Sequence, residues 1–249
     1  KPFWLQDQQL PKEMKNINSH LKAIAQSYDR AIELGRNGIN SYNNLPEYLK
    51  KDPDYINFQT ARENGLDSDS GRIEIKAFLS PAVNAKFVDL GCCLNLMFNG
   101  YDQWPSTYYG VDISTETIKL LREFSEKKRL RVGKLHCGSI HETPFEDNYF
   151  DIGACIGVLE YYEKAFVREV LIEIHRILKP YSKFVLDIPD NAGKMRHFMN
   201  LVETSMGRPD KFDMSIEEFE EILFDFFEIE KKEKIDAVSM VQYFLKRKA

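Results

Sequence analysis

The sequence predicts an α/β protein with a doubly wound, mostly parallel sheet of seven strands. One strand near the C-terminus runs antiparallel, and a helical cap precedes the sheet. Three observations carry this reading. From residue 85 on, short β-rich runs alternate with helical patterns, the rhythm of strand–helix–strand units. The strand candidates are largely apolar, as strands covered on both faces must be. The last two candidates are linked only by Ile235-Asp236-Ala237, which permits a hairpin and not a crossover.

Taken in order, residues 1–78 are polar and helix-like, with one short strand candidate. Leu10, Met14, Ile17, Leu21 and Ile24 recur at three- and four-residue steps, the pattern of an amphipathic helix. Leu45-Pro46-Glu47 and Asp52-Pro53-Asp54 are turn or helix-start signals, and Gly65 to Gly71 reads as a loop. These residues form the expected cap, and 79–249 the main domain. Lys86 to Leu90 is the first strand, turning at Gly91, and Thr107 to Val111 the second. Ser114 or Thr115 caps a helix with Ile118, Leu121 and Phe124 on one face and Glu116 in its first turn. Arg131 to Cys137 and Asp151 to Ile156 are the third and fourth strands. The helix Val167 to Leu178 is stopped by Pro180, and Lys183 to Ile188 is the fifth strand. The helix Ile216 to Phe224 precedes the final pair, Phe226 to Lys232 and Val238 to Leu245.

Composition narrows the function. With 249 residues and 43% apolar content, the chain suits one large domain, or one domain with an appended segment. A formal net charge of −5 makes it a poor generic binder of nucleic-acid backbones. No apolar run is long enough to span a membrane, and no signal-peptide core follows Lys1-Pro2-Phe3-Trp4. Cys92, Cys93, Cys137 and Cys155 lack the spacing of a zinc site, so no metal is expected. They read as buried free thiols of a reducing compartment, the cytoplasm. The Lys246-Arg247-Lys248 run reads as a solvated end.

In an open α/β sheet, ligands bind beyond the carboxyl ends of the strands, where the strand order switches. After the first strand comes Asp89-Leu90-Gly91-Cys92-Cys93-Leu94-Asn95. A glycine at this turn lets the backbone approach a ligand closely. After the second comes Asp112, 112 − 91 = 21 residues beyond Gly91, an offset at which a carboxylate accepts hydrogen bonds from ribose hydroxyls. After the third come Ser139, Ile140 and His141, and after the fourth Gly157-Val158-Leu159-Glu160-Tyr161. The three-glycine dinucleotide fingerprint is absent. Cys93 would crowd a pyrophosphate, which disfavours a nicotinamide-linked oxidoreductase and leaves a nucleoside acceptable.

At these residues the chain resembles class I S-adenosylmethionine-dependent methyltransferases, in the small-molecule group related to ubiquinone and menaquinone methyltransferases. Val88-Asp89-Leu90-Gly91 matches the first half of the family's glycine motif, while Cys93 and Asn95 replace its later glycines. The stretch from Gly138 to Asp151, Leu159-Glu160-Tyr161, and Glu173-Ile174-His175-Arg176-Ile177-Leu178-Lys179-Pro180 match in order and spacing. The resemblance implies a Rossmann-like sheet with S-adenosylmethionine as cofactor and S-adenosylhomocysteine as product. It implies that Asp112 holds the ribose, Ile113 flanks the adenine, and Ser139 and Ile140 border the ring. Gly91, Cys92, Cys93, Cys155 and Ile156 belong to the methionine end, and Asp89 orients the loop. Tyr28, in Tyr28-Asp29-Arg30, resembles a segment that closes over the cofactor in relatives.

Methyl transfer from a sulfonium needs a nucleophile held in line, and a base only where the acceptor must lose a proton. The base candidates are His141, Tyr161 and His197. The insertion 190–210 holds three of the chain's seven methionines, and its Met195, Phe198, Met199 and Arg208 are the expected acceptor contacts. The same residues also read as an amphipathic helix packed on the sheet edge. The reading is methyl transfer to a small, partly apolar metabolite by a monomer or homodimer. Methylation of a peptide or protein side chain, or a catalytically silent cofactor-binding relative, are the alternatives.

Overall fold

A computed structural model describes residues 12–63 and 70–249. Leu10 and most of the Gly65–Gly71 loop lie outside them. The described part opens with helix α1 (Lys12–Arg36), a 3-10 turn (Ser41–Asn44) and short helices α2 (Glu47–Lys50) and α3 (Tyr55–Ala61). Pro46 stands at the N-cap of α2 and Asp54 at that of α3, as the two proline signals suggest. Among the described residues, no strand precedes Lys86. Ser70 and Gly71 open α4 (Ser70–Leu79) rather than ending a loop.

The sheet is built from β1 (Lys86–Leu90), β2 (Thr107–Asp112), β3 (Val132–Cys137), β4 (Phe150–Cys155), β5 (Leu178–Pro189), β6 (Phe227–Ile235) and β7 (Met240–Arg247). Their order is β3-β2-β1-β4-β5-β7-β6. β1, β2, β3, β4 and β5 pair in parallel, while β7 lies antiparallel to both β5 and β6. The short link between the last two strands does make a hairpin, as its length requires. β5 starts earlier than expected. Leu178 already pairs with Phe150, and the register then shifts before Lys183 meets Ile152. Pro180, which cannot donate to a ladder, falls within this irregularity.

Alternating side chains send β1 into two cores. Val88 and Leu90 join one, with α1 (Leu21, Ile24), α7 (Lys164–Ile177) and α9 (Ile216–Leu223). Phe87 joins the other, with α4 (Ile75, Leu79), α5 (Asn95–Phe98) and α6 (Thr115–Lys128). Helices therefore cover both faces of the sheet's centre, which is why β1, β2 and β4 are almost wholly buried, while the edge strand β6 is charged and largely exposed. The N-terminal segment divides between these layers. The α4 residue Phe78 packs edge-on against Phe244 at 5.2 Å, so α4 belongs to the sheet's flank and not to the cap. No helix among the described residues is long and apolar enough to cross a membrane.

A third, smaller core joins the N-terminal segment to the insertion. Leu45, Leu49 and Phe58 pack against Met195, Phe198 and Val202, with Phe58 and Phe198 rings 5.6 Å apart. The insertion supplies helix α8 (Arg196–Ser205) to this contact.

Candidate functional site

The strand order reverses at β1, between β2 and β4, and a cleft opens there at the carboxyl ends of the strands. Its free space is about 500 Å³, counted together with the open solvent at its mouth. Of the residues expected from sequence, Tyr28, Gly91, Cys93, Asp112, Ile113, Ser139, Ile140, Ile156 and Tyr161 line it together. Ile24, Gly138, Gly157, Val158 and Tyr162 line it too. Ile24 had a sequence signal only as a position in a helical stripe. Gly157 and Val158 follow β4 at the correct edge, which was signal enough to include them.

The turn after β1 shows why a glycine stands there. The Gly91 and Cys92 amides both donate to the Val111 carbonyl, at 2.8 and 2.9 Å. To make this turn Gly91 adopts φ 69°, in the left-handed region. A Cβ on Gly91 would lie 2.3 Å from Val158 Cγ2. The next turn is completed by Cys93 at φ 37°, held by a 2.7 Å hydrogen bond from its amide to Asp112 Oδ2. The Cys93 thiol lines the cleft and does not fill it; burial and the Asp112 charge push its pKa up to about 12. It is therefore a neutral thiol.

Asp112 ends β2, and its other oxygen accepts the Ser114 amide at 2.8 Å. Each carboxylate oxygen keeps acceptor capacity beyond these bonds. Burial raises its pKa to about 6, against the backbone amides that favour the charged form. The sign follows directly. The folded-state pKa lies above the unfolded value, so Asp112 adds stability below about pH 3.8, and that gain is lost as pH rises through about 6. Ligand binding runs the other way. A ribose hydroxyl donates to the carboxylate, so affinity for adenosylhomocysteine is expected to fall as pH drops below about 6. Titrations at pH 5 and pH 8 check this, and equal affinity at both would contradict it.

Three expected cofactor residues support the cleft from behind. Asp89 is fully buried and accepts hydrogen bonds from Tyr108 Oη at 2.8 Å and Asn95 Nδ2 at 3.1 Å. Cys92 is fully buried among Phe87, Tyr108 and Leu135 of the second core. Cys155 is fully buried in the first core. Asp89 and Cys155 belong to strands β1 and β4, and Cys92 to the turn that follows β1.

The candidate bases separate. Tyr161 lines the cleft, and burial together with Glu203 holds its hydroxyl well above the usual phenol range. His141 bonds Ser139 Oγ at 2.6 Å, packs on Phe166, and lies outside the lining. Burial lowers its pKa. His197 is exposed beside Lys194 and Arg196, on a separate surface hollow.

The expected acceptor contacts are also displaced. Met195 and Phe198 are buried in the third core and Met199 packs on it, away from the cleft. Arg208 is only 3% exposed; its Nε donates to Glu203 Oε2 at 2.7 Å and its guanidinium lies 4.4 Å over the Tyr28 ring. Apolar side chains of the insertion gain more by burial against the N-terminal helices than by lining an open cleft. The cap is tied to the domain by Asp29, whose Oδ1 accepts Ser114 Oγ at 2.7 Å and the Glu116 amide at 3.0 Å. These bonds satisfy donors at the N-terminus of α6. No cluster of ligands suited to a metal ion occurs among the described residues.

Comparison with known proteins agrees with this geometry. Residues 88–186 match the family model described as a methyltransferase domain. An uncharacterized protein of Methanocaldococcus jannaschii is 36% identical over 118 residues, 45% of this chain and 46% of that one. The uncharacterized methyltransferase YcgJ of Bacillus subtilis is 24% identical over 101 residues, 41% of this chain and 39% of that one. The match thus spans less than half the length of these relatives. Among solved structures, geranyl diphosphate C-methyltransferase from Streptomyces coelicolor A3(2) superposes with TM-score 0.58 at 15% identity. That likeness covers 72% of this chain and 76% of that one, and it shows a shared fold. That structure holds Mg2+, geranyl-S-thiolodiphosphate and S-adenosyl-L-homocysteine.

Proposed function

We propose that this chain, which matches a methyltransferase-domain model over residues 88–186, is a class I S-adenosylmethionine-dependent methyltransferase that moves a methyl group to a small, partly apolar metabolite. The observation that carries the reading is the cleft itself. It brings a carboxylate, Asp112, together with the side chains of Ile24, Tyr28, Val158, Tyr161 and Tyr162. The residues fit the cofactor: the cradle at Gly91 has no room for a Cβ, and Asp112 retains free acceptor capacity. Bound there, S-adenosylmethionine supplies a methyl group already activated by its sulfonium.

The chain's own residues then have three tasks. Asp112 takes the ribose hydroxyls, with Ile113, Ser139 and Ile140 around the adenine. Gly91, Cys93 and Ile156 border the methionine end, and Asp89, Cys92 and Cys155 stiffen the strands behind them. Tyr28 and α1 close the open side and exclude water. Of the three base candidates only Tyr161 touches the cleft. As a phenol it acts by hydrogen bonding and not as a free phenolate. Met195, Phe198 and Met199 act on the acceptor wall indirectly, by holding the cap in place.

The apolar and aromatic side chains of Ile24, Val158 and Tyr162 in the lining support a partly apolar acceptor. The acidic balance speaks against nucleic acid, and the four free thiols suit the cytoplasm. A monomer or homodimer suffices, since one chain supplies every residue of the cleft. The test is calorimetric titration with adenosylhomocysteine and, separately, with NADH. Micromolar binding of adenosylhomocysteine and none of NADH is expected. Failure to bind adenosylhomocysteine would reduce the likeness to fold alone.

A further inference from the structure

Behind the aromatic wall of the cleft lies a buried polar network that the cofactor reading does not use. It joins four separate parts of the chain: Tyr28 from α1, Tyr42 from the 3-10 turn, Tyr161 after β4, and Glu203 with Arg208 from the insertion. Tyr28 Oη and Tyr161 Oη are 3.1 Å apart. Tyr161 Oη donates to Glu203 Oε2 at 3.0 Å, and Tyr42 Oη to Glu203 Oε1 at 3.2 Å. Arg208 Nε donates to Glu203 Oε2 at 2.7 Å. Glu203 is 8% exposed and Arg208 3%.

The protons in this network have a forced order. A carboxylate only accepts, and a phenol carries one proton. The single proton of Tyr161 is committed to Glu203, so the Tyr161 oxygen accepts from Tyr28. The proton of Tyr28 is thereby committed to Tyr161, and the Tyr28 side chain lines the cleft. What Tyr28 presents to a ligand is an oxygen with lone pairs and no proton. Burial raises the pKa of Tyr28 and Tyr161, and the Glu203 charge with burial raises that of Tyr42, so the order persists at neutral pH.

We propose that Tyr28 Oη is a hydrogen-bond acceptor aimed into the cleft, and that the methyl acceptor is a heteroatom nucleophile, a hydroxyl or an amine, that donates its own proton to it. The proposal rests on the methyltransferase reading and names the substrate class of that site. The balance is simple. As the heteroatom–carbon bond forms, the carbon–sulfur bond breaks and leaves its electron pair on sulfur. The heteroatom's proton passes to Tyr28, that of Tyr28 to Tyr161, and that of Tyr161 to Glu203. The positive charge lost at sulfur is matched by the negative charge lost at Glu203. In this arrangement Tyr28 touches the substrate, while Tyr161 and Glu203 set the direction of its proton.

The test uses the full chain saturated with adenosylhomocysteine and two probes, phenol and anisole. They share a ring, and only phenol carries a donor. Phenol is expected to bind about tenfold or more tighter, the equivalent of one hydrogen bond. Tyr28→Phe keeps the ring and should erase the difference. Tyr161→Phe keeps the ring and removes the oxygen that takes the Tyr28 proton, which frees that proton for the cleft. In that variant the preference for phenol should vanish or reverse, a change that loosened packing alone would not produce. Tyr28→Phe leaves the Tyr161–Glu203 bond and the Glu203–Arg208 pair intact, so it decides the matter even where Tyr161→Phe fails to fold.

Equal binding of the two probes, binding of neither, or a preference that survives Tyr28→Phe each overturns the proposal. So does a Tyr28→Phe variant that shows no probe effect and binds adenosylhomocysteine tenfold more weakly, for then the oxygen serves the cofactor's ammonium. Failure of the native chain to bind adenosylhomocysteine is a different result. It rejects the cofactor reading, and a Tyr28-dependent phenol preference without that ligand would still uphold the proton order.

Discussion

Asp112→Ala is expected to lower the affinity for adenosylhomocysteine about a hundredfold in a calorimetric titration. Two effects add. The ribose hydroxyls lose a charged acceptor, each such bond contributing about 1.5–3 kcal/mol. The Cys93 amide also loses its 2.7 Å partner, and with it the restraint that holds the turn at φ 37°. A loss of about 2.7 kcal/mol corresponds to the hundredfold change. Asp112→Asn keeps one acceptor oxygen but sets its amide against a backbone donor, either Cys93 or Ser114. It should fall between the native chain and the alanine variant. An alanine variant binding within threefold of native would remove Asp112 from the site.

Gly91→Ala carries the second large effect, and it acts on the fold as well as the site. The new Cβ would meet Val158 Cγ2 at 2.3 Å and Cγ1 at 3.1 Å, and the backbone would remain at φ 69°. The left-handed conformation costs an alanine about 1–2 kcal/mol, and overpacking about 1–3 kcal/mol more. For a domain of this size, a total of ~2–5 kcal/mol lowers the Tm by about 5–15 °C. Adding Val158→Ala separates the two parts. The double variant should regain the packing share and not the backbone share. An unchanged Tm in Gly91→Ala would mean the turn is not built as described.

Much of the sheet was legible because its signals are local. β1 to β4 lie within a residue of their expected ends. The hairpin of β6 and β7 follows from the shortness of its link. β5 was harder to delimit, since Pro180 reads as a stop, yet Leu178 already pairs with Phe150 across the irregularity. The cleft was legible at Gly91, Cys93, Asp112, Ser139 and Ile140, each of which ends a strand or lies within three residues of its end. Where a strand ends, its next residue must face the sheet's edge, whatever packs elsewhere.

Residues far from strand ends were read less well, and the reason is competition for burial. Phe198 and Met195 look from sequence like contacts for an apolar ligand, and they are also good core residues. Only the arrival of Leu45, Leu49 and Phe58 from a segment more than a hundred residues away decides between the two. Arg208 is similar. Nothing near it in the chain shows that it would lie over the Tyr28 ring.

By itself the sequence determined the strand order's raw material: the apolar runs, the turn at Gly91, the carboxylate of Asp112 and the short final hairpin. Each depends on backbone sterics or on spacing along a few residues. Only the tertiary structure decided which face Asp89, Cys92 and Cys155 present, that α4 flanks the sheet, and that Tyr28, Tyr161 and Glu203 share one line of protons. Those outcomes depend on contacts between segments distant in the chain. A hydroxyl's direction is set by whichever partner reaches it, and no local pattern records that partner.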